Sequence, residues 1–145
     1  ALILLYGKEK MKTVWKEFQT ITGQERLERI EETGRKLAEE FSLSAVVITG
    51  VDQQEEGEAV KMGNLVLENG KCSWVFAEKA GGSYSGTGDI FASILSAGLV
   101  KGYSMEACAD MAVDFISASI RDAVKEGTDR NDGVCFELHL GRLVR

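Results

Sequence analysis

The chain has 145 residues and a formal charge of −6, enough for one domain or part of one. Its Lys and Arg are scattered along helical stretches, and a mildly acidic chain offers no nucleic-acid surface held by general attraction. No apolar run approaches the roughly 20 residues that span a bilayer, so no membrane partner is expected.

The chain opens without Met, inside an apolar segment that has no cap before it. It is therefore expected to be the C-terminal part of a longer protein. The opening lacks a basic lead and a small-residue cleavage pattern, so it is not read as a signal peptide. Ala1 to Tyr6 reads as a helix end closed by Gly7, and Lys8 to Phe18 as a short amphipathic helix or an irregular segment. Thr22-Gly23-Gln24-Glu25 is a capping box with Thr22 as N-cap. The helix it starts carries Leu27, Ile30, Gly34, Leu37, Ala38 and Phe41 on one face at the 3.6-residue period, with a solvated charged face opposite.

Ala45-Val46-Val47-Ile48-Thr49-Gly50 follows as a short buried strand. A continuous apolar run after a helix suggests a parallel strand covered on both faces. Lys61–Leu67 and Cys72–Ala77 are two further β-rich runs joined through Asn69-Gly70, a strong hairpin signal. Next comes the stretch from Gly81 to Gly102, a glycine-rich turn opening into a helix. Ile90, Phe91, Ile94, Leu95 and Leu99 form that helix's inner face, and small residues allow close packing. Ser104 caps a second long helix with a stripe of Cys108, Ala109, Ala112, Val113, Ile116 and Ile120, and Gly127 ends it. Asn131-Asp132-Gly133 is a turn, and the tail from Val134 to Val144 is apolar enough to dock onto the body. Trp15, Phe18, Trp74, Phe76, Phe115 and Phe136 fall at apolar positions and read as core. The order helix, strand, hairpin, helix, helix predicts an α/β fold.

Three cysteines, Cys72, Cys108 and Cys135, are odd in number and far apart. They suit buried thiols in a reducing cytosol better than disulfides or a zinc site, which points to a cytoplasmic protein. The single histidine, His139, has no neighbour at ligand spacing. It is read as structural, and no metal site is assigned.

In open α/β sheets, ligands bind beyond the carboxyl ends of strands. Thr49-Gly50 and Gly86-Thr87-Gly88-Asp89 are the two candidates. The second is not a Walker loop, because Thr87 stands where Lys must reach the phosphates. It is not a dinucleotide fingerprint either, because Phe91 replaces the third glycine. It does offer consecutive N–H groups of Gly86, Thr87 and Gly88 at a helix N-terminus, which suits an anion. Asp89 beside them is either a general base for an attacking hydroxyl or a first-turn acid that complements the helix dipole. Thr49-Gly50 is either a ligand position at the carboxyl end of its strand or simply a strand end followed by a turn.

Gly86-Thr87-Gly88-Asp89, followed by the small-residue helix from Ile90 to Leu99, resembles the signature of the ribokinase-like superfamily. Within it, Val46-Val47-Ile48-Thr49-Gly50 and Asp132–Glu137 are most similar to the pyridoxal/pyridoxamine kinase branch. Its near relative is hydroxymethylpyrimidine (phosphate) kinase of thiamine synthesis. The resemblance covers essentially the whole chain but only the C-terminal half of such a kinase. Residues 1–145 would be the C-terminal ATP- and phosphate-handling portion of one kinase domain, with the N-terminal half absent. Ala1-Leu2 looks like the continuation of a T-P-N-x-x-E segment whose acid helps organise magnesium.

The resemblance implies part of a three-layer α/β/α sandwich with a β-hairpin. It implies phosphorylation of a hydroxymethyl group on a B6 vitamer (pyridoxal, pyridoxine or pyridoxamine) from ATP with Mg²⁺. By position, Asp89 would be the catalytic base, Gly86, Thr87 and Gly88 the anion hole, and Thr49 and Gly50 contacts to the ATP phosphates. Phe76 to Ala80 would lie near the nucleotide. Tyr84-Ser85 matches no family motif. Kinases of this family are often homodimers, so a homodimer is a further expectation. The alternatives are the hydroxymethylpyrimidine kinase and a nucleotide-binding module without catalysis. Because the family's other half supplies most of the substrate pocket, the 145-residue chain is expected to be inactive alone.

Overall fold

A computed structural model describes residues 16–53, 59–79 and 81–144. The expected helix end at Ala1–Tyr6 with Gly7, most of the Lys8–Phe18 segment, Trp15 and Ala80 lie outside the described residues. The chain divides into two compact units, Ala1–Trp74 and Val75–Arg145.

In the first unit, residues 16–20 are helical and helix α1 spans Gly23–Glu40. Thr22 is its N-cap residue in extended conformation, as expected, but its side chain makes no capping hydrogen bond. The buried face is Leu27, Ile30, Thr33, Gly34 and Leu37. Thr33 is apolar enough to sit there because its hydroxyl donates to the Arg29 carbonyl oxygen at 2.8 Å, which satisfies the buried group locally. Phe41, expected on this face, is 45% exposed. The helix has already ended, with Ser42 at φ 50 and Leu43 N–H donating to the Ala38 oxygen at 2.8 Å. That is a Schellman closure built on Ser in place of Gly.

Strands β1 (Ala45–Gln53), β2 (Lys61–Glu68) and β3 (Lys71–Glu78) form one sheet in the order β1-β2-β3. The Asn69-Gly70 hairpin is as expected, with φ 50 and φ 81 at the two turn residues, the left-handed pair of a tight hairpin turn. β1 corrects the parallel expectation. It pairs antiparallel with β2, Val47 opposite Val66 and Ile48 opposite Leu65. Its connection to β2 is too short for a parallel crossover, which needs about a dozen residues or more. β1 is also half-buried rather than covered on both faces, and among the described residues it is an edge strand.

The core of this unit is Phe18, Leu27, Ile30, Val51 and Leu65, with Ile21, Ile48, Cys72 and Trp74 packed against it. Helix and sheet approach closely at Gly34, where a Cβ would lie 3.1 Å from Leu65 Cδ2. Leu65 is 0% exposed, a burial that stabilises by about 1.5–3 kcal/mol. Trp74 Nε1 donates to Glu31 Oε1 at 2.8 Å, which gives a partly buried indole its partner. Burial pushes the Cys72 thiol above its usual range.

In the second unit, helix α2 spans Thr87–Val100 and helix α3 spans Met105–Glu126. Ser104 Oγ accepts from Ala107 N–H at 3.2 Å, and Gly127 closes α3 in left-handed conformation; both match the sequence. The two helices pack against each other. Gly98 of α2 faces the buried Cys108 of α3 so closely that a Cβ would overlap its Sγ. The buried face of α3 also takes in Phe115, Ala118, Ser119 and Ala123. Val113, Ile116 and Ile120 are only half-buried. Leu99, expected inside, is 54% exposed, because one further residue at 100° per step carries it off the face held by Phe91, Ile94 and Gly98.

The tail forms a 3₁₀ helix, Glu137–Leu143. The tail docks on α3 through Val134, buried against Ala123, as expected, while the 3₁₀ helix itself is held by polar contacts. His139 Nε2 meets Asp122 Oδ2 at 2.9 Å and Arg142 Nη1 meets Asp114 Oδ2 at 2.7 Å, while none of its own residues is buried. Phe76 and Phe136 are likewise exposed. Of the aromatics read as core, Phe18 and Phe115 are buried and Trp74 is half-buried. All three cysteines are free thiols.

Candidate active site

Four of the sequence-picked residues fall together in the second unit, at the start of α2. The loop before it is held by Tyr84, which is buried with Ala123 and Val134, with Ile90, Ile120 and Cys135 packed around them. This small cluster draws on the loop, both helices and the tail, and it gives Tyr84 a role. The Tyr84 carbonyl oxygen accepts from Thr87 Oγ1 at 3.1 Å, and the next residue, Ser85, donates its N–H to the Arg130 carbonyl at 2.9 Å.

Gly86 then turns the chain with φ 80 and ψ −8, a left-handed conformation that costs any residue with a Cβ about 1–2 kcal/mol. The first helical hydrogen bond runs from Ile90 N–H to the Gly86 oxygen at 3.0 Å. The N–H groups of Thr87, Gly88 and Asp89 thus have no acceptor within the helix, and Gly86 at the N-cap makes no side-chain capping bond. A Cβ placed on Gly86 or Gly88 would meet nothing within 4 Å. The Cβ sides of both glycines are thus open beside the donors of a helix N-terminus, an end that suits an anion such as a phosphoryl group. Asp89 is exposed in the same turn.

Thr49 and Gly50 belong to the first unit and are both exposed. They do not end the strand, as expected, but form a bulge inside β1. Ile48 faces Leu65 and Val51 faces Gly63, so two residues oppose Asn64 alone. Gly50 takes φ 74, and its N–H donates to Asn64 Oδ1 at 3.3 Å. Bulges turn a strand and re-aim its groups, and they are over-represented beside active sites. Phe76 of the expected nucleotide-side segment is exposed on β3.

Two residues escaped the sequence reading. Asn64 is a polar residue inside an apolar strand, and that oddity was a usable signal. Arg130 sits in a polar turn, where nothing in the sequence marks it.

The phosphomethylpyrimidine kinase family matches residues 15–133. A crystal structure described as a phosphomethylpyrimidine kinase from Bacteroides thetaiotaomicron is 25% identical, with a TM-score of 0.66 over 79% of this chain and 40% of that one. A second crystal form of the Bacteroides protein, with pyridoxal, is 26% identical with the same TM-score over 79% and 41%. Pyridoxal kinase from Lactobacillus plantarum is 25% identical, with a TM-score of 0.59 over 71% and 36%. The chain spans about two fifths of the length of these proteins. No curated protein sequence matches it.

Proposed function

The chain belongs to the phosphomethylpyrimidine kinase family, of ribokinase-like α/β fold, and from that premise we propose that it is the C-terminal, phosphate-handling portion of an ATP-dependent kinase. The kinase would act on the hydroxymethyl group of a B6 vitamer. The observation that carries the reading is the start of α2, where backbone donors without helical acceptors, two glycines with open Cβ sides and the exposed Asp89 fall in one turn.

The residues have separate tasks. ATP supplies the phosphoryl group. The N–H groups from Gly86 to Gly88 hold that group as negative charge shifts during transfer, the kind of fixed-dipole stabilisation that costs no reorganisation. Asp89 accepts the proton of the attacking hydroxyl, a contribution of about 10²–10⁴-fold. Thr49 and Gly50, turned out by the bulge, contact the ATP phosphates. The phosphate cradle fits such a ligand, since neither glycine's missing Cβ is replaced by protein. Magnesium is different. Among the described residues no three His, Cys, Asp or Glu converge, so no ligand in this chain is assigned to it and no step is derived through it.

The pyrimidine alternative has equal standing. The matched family is named for phosphomethylpyrimidine, whereas pyridoxal accompanies one of the similar structures. A substrate panel on the full-length protein tests the reading. ATP-dependent phosphorylation of pyridoxal, pyridoxine or pyridoxamine is expected. Turnover of hydroxymethylpyrimidine alone would move the assignment to the alternative, and ATP binding with no transfer would favour a non-catalytic module.

A further inference from the structure

Arg130 has no part in the reading above, yet it touches the loop that carries the site at two points. It lies in a tight turn, where Asn131 N–H donates to Asp129 Oδ1 at 2.8 Å and Asp132 N–H donates to the Asp129 oxygen at 3.0 Å. Its carbonyl oxygen takes the Ser85 N–H at 2.9 Å. Its guanidinium lies against the α-carbon of Gly82, so that a Cβ there would overlap Cζ and both terminal nitrogens. Gly133, from the same turn, comes close to the Ser85 carbonyl, with an imagined Cβ 3.5 Å away. Among the described residues the guanidinium has no hydrogen bond or ion pair. A long charged side chain is thus laid flat on backbone, with no pairing partner among the described residues. A planar guanidinium suits such a surface and a lysine ammonium does not.

We propose that Arg130 is a positioning residue for the phosphoryl site. Its carbonyl grips Ser85 and its guanidinium grips Gly82, and together they fix the loop whose next residue is Gly86. The direction in which Gly86, Thr87 and Gly88 present their N–H groups follows from that grip. The proposal rests on the kinase reading, because the cost of losing the grip is counted in phosphoryl transfer.

Gly82 allows a clean test. It is not among the positive-φ glycines, so alanine fits its backbone. The atoms an added methyl would meet are the far end of a flexible side chain, which moves aside. Gly82→Ala therefore removes the guanidinium contact and keeps the charge, Arg130→Ala removes both, and Arg130→Lys keeps charge without the plane. In the full-length protein each is expected to lower kcat by about 10–100-fold, the range for a misplacement near 1 Å, with KM for ATP little changed. The double variant Gly82→Ala/Arg130→Ala is expected to be no slower than Arg130→Ala, because both remove one interaction. Amide exchange from Ser85 to Thr87 should quicken in all of them without substrate.

Wild-type kcat in Arg130→Ala, full recovery in Arg130→Lys, or multiplying losses in the double variant would overturn the proposal. Unchanged exchange would overturn the grip itself. Quickened exchange in a protein that phosphorylates no vitamer or pyrimidine would overturn the kinase reading and leave the grip standing.

Discussion

The N–H of Gly50 donates to the side-chain oxygen of Asn64 at 3.3 Å across the bulge in β1. Asn64 is 4% exposed, so a buried amide pegs the one irregularity in this strand pair. Asn64→Leu keeps the volume and removes the acceptor. A net loss of about 0.5–1.5 kcal/mol is expected, the worth of one such bond, read as a lower urea midpoint. In the full-length protein the proposed ATP contacts at Thr49 and Gly50 predict a raised KM for ATP. An unchanged midpoint and an unchanged KM would show that the bulge holds without its peg.

The contact between Gly98 and Cys108 sets how closely α2 and α3 approach. Gly98→Ala inserts a methyl where the Cys108 sulfur lies, and overpacking of this kind costs about 1–3 kcal/mol. Cys108→Ala removes that sulfur. Thermal denaturation of the pair should show Cys108→Ala recovering part of the stability that Gly98→Ala loses. Additive losses would mean the two sites do not share this space.

Gly86 and Gly88 separate folding from chemistry. Gly86→Ala is expected to cost about 1–2 kcal/mol, because its left-handed φ disfavours a Cβ. Gly88→Ala meets no protein atom and places a better helix former in α2, a gain of up to about 1 kcal/mol. Its methyl intrudes on the anion space instead. Melting should therefore rank Gly86→Ala below wild type and Gly88→Ala level with it or above, while both lose activity. A fully active Gly88→Ala would remove Gly88 from the phosphoryl site.

Lys36 and Arg29, bonded to Glu32, hold its carboxyl below the usual glutamate range. A lowered folded-state pKa means that the stabilisation is present above the unfolded value and fades as pH falls through the folded one. The pair is exposed, so the effect is small and screened by salt. Urea midpoints of wild type and Glu32→Gln should differ slightly near neutral pH and converge on acidification. A difference that widened in acid would contradict the sign.

The helices and the hairpin were legible because local rules decide them. Ser104 and Gly127 close α3, and Asn69-Gly70 folds back as a two-residue turn must. The sense of β1 was not read from its apolar run, since that run suits a buried strand of either direction; the short connection to β2 decides it. The end of α1 was missed because Ser42 takes a conformation usually left to glycine. Phe41 and Leu99 were placed one step too far along their helices, and such ends depend on tertiary closure. Within the site, the glycines and Asp89 showed in sequence. Tyr84 and Arg130 did not, since a buried carbonyl and a guanidinium over Gly82 are relations between distant residues. Asn64 was passed over, although a polar residue beside β2's Leu65-Val66-Leu67 run was a usable signal.

The central claim is that Asp89 takes the proton while the start of α2 holds the phosphoryl group. The most direct measurement is kcat for ATP-dependent phosphorylation by the full-length protein carrying Asp89→Asn, with its melting temperature recorded alongside. A fall of about 10²–10⁴-fold at unchanged melting temperature is predicted. A fall of less than about tenfold, below the range of a general base, would contradict it and leave Asp89 as an acid that merely complements the helix dipole.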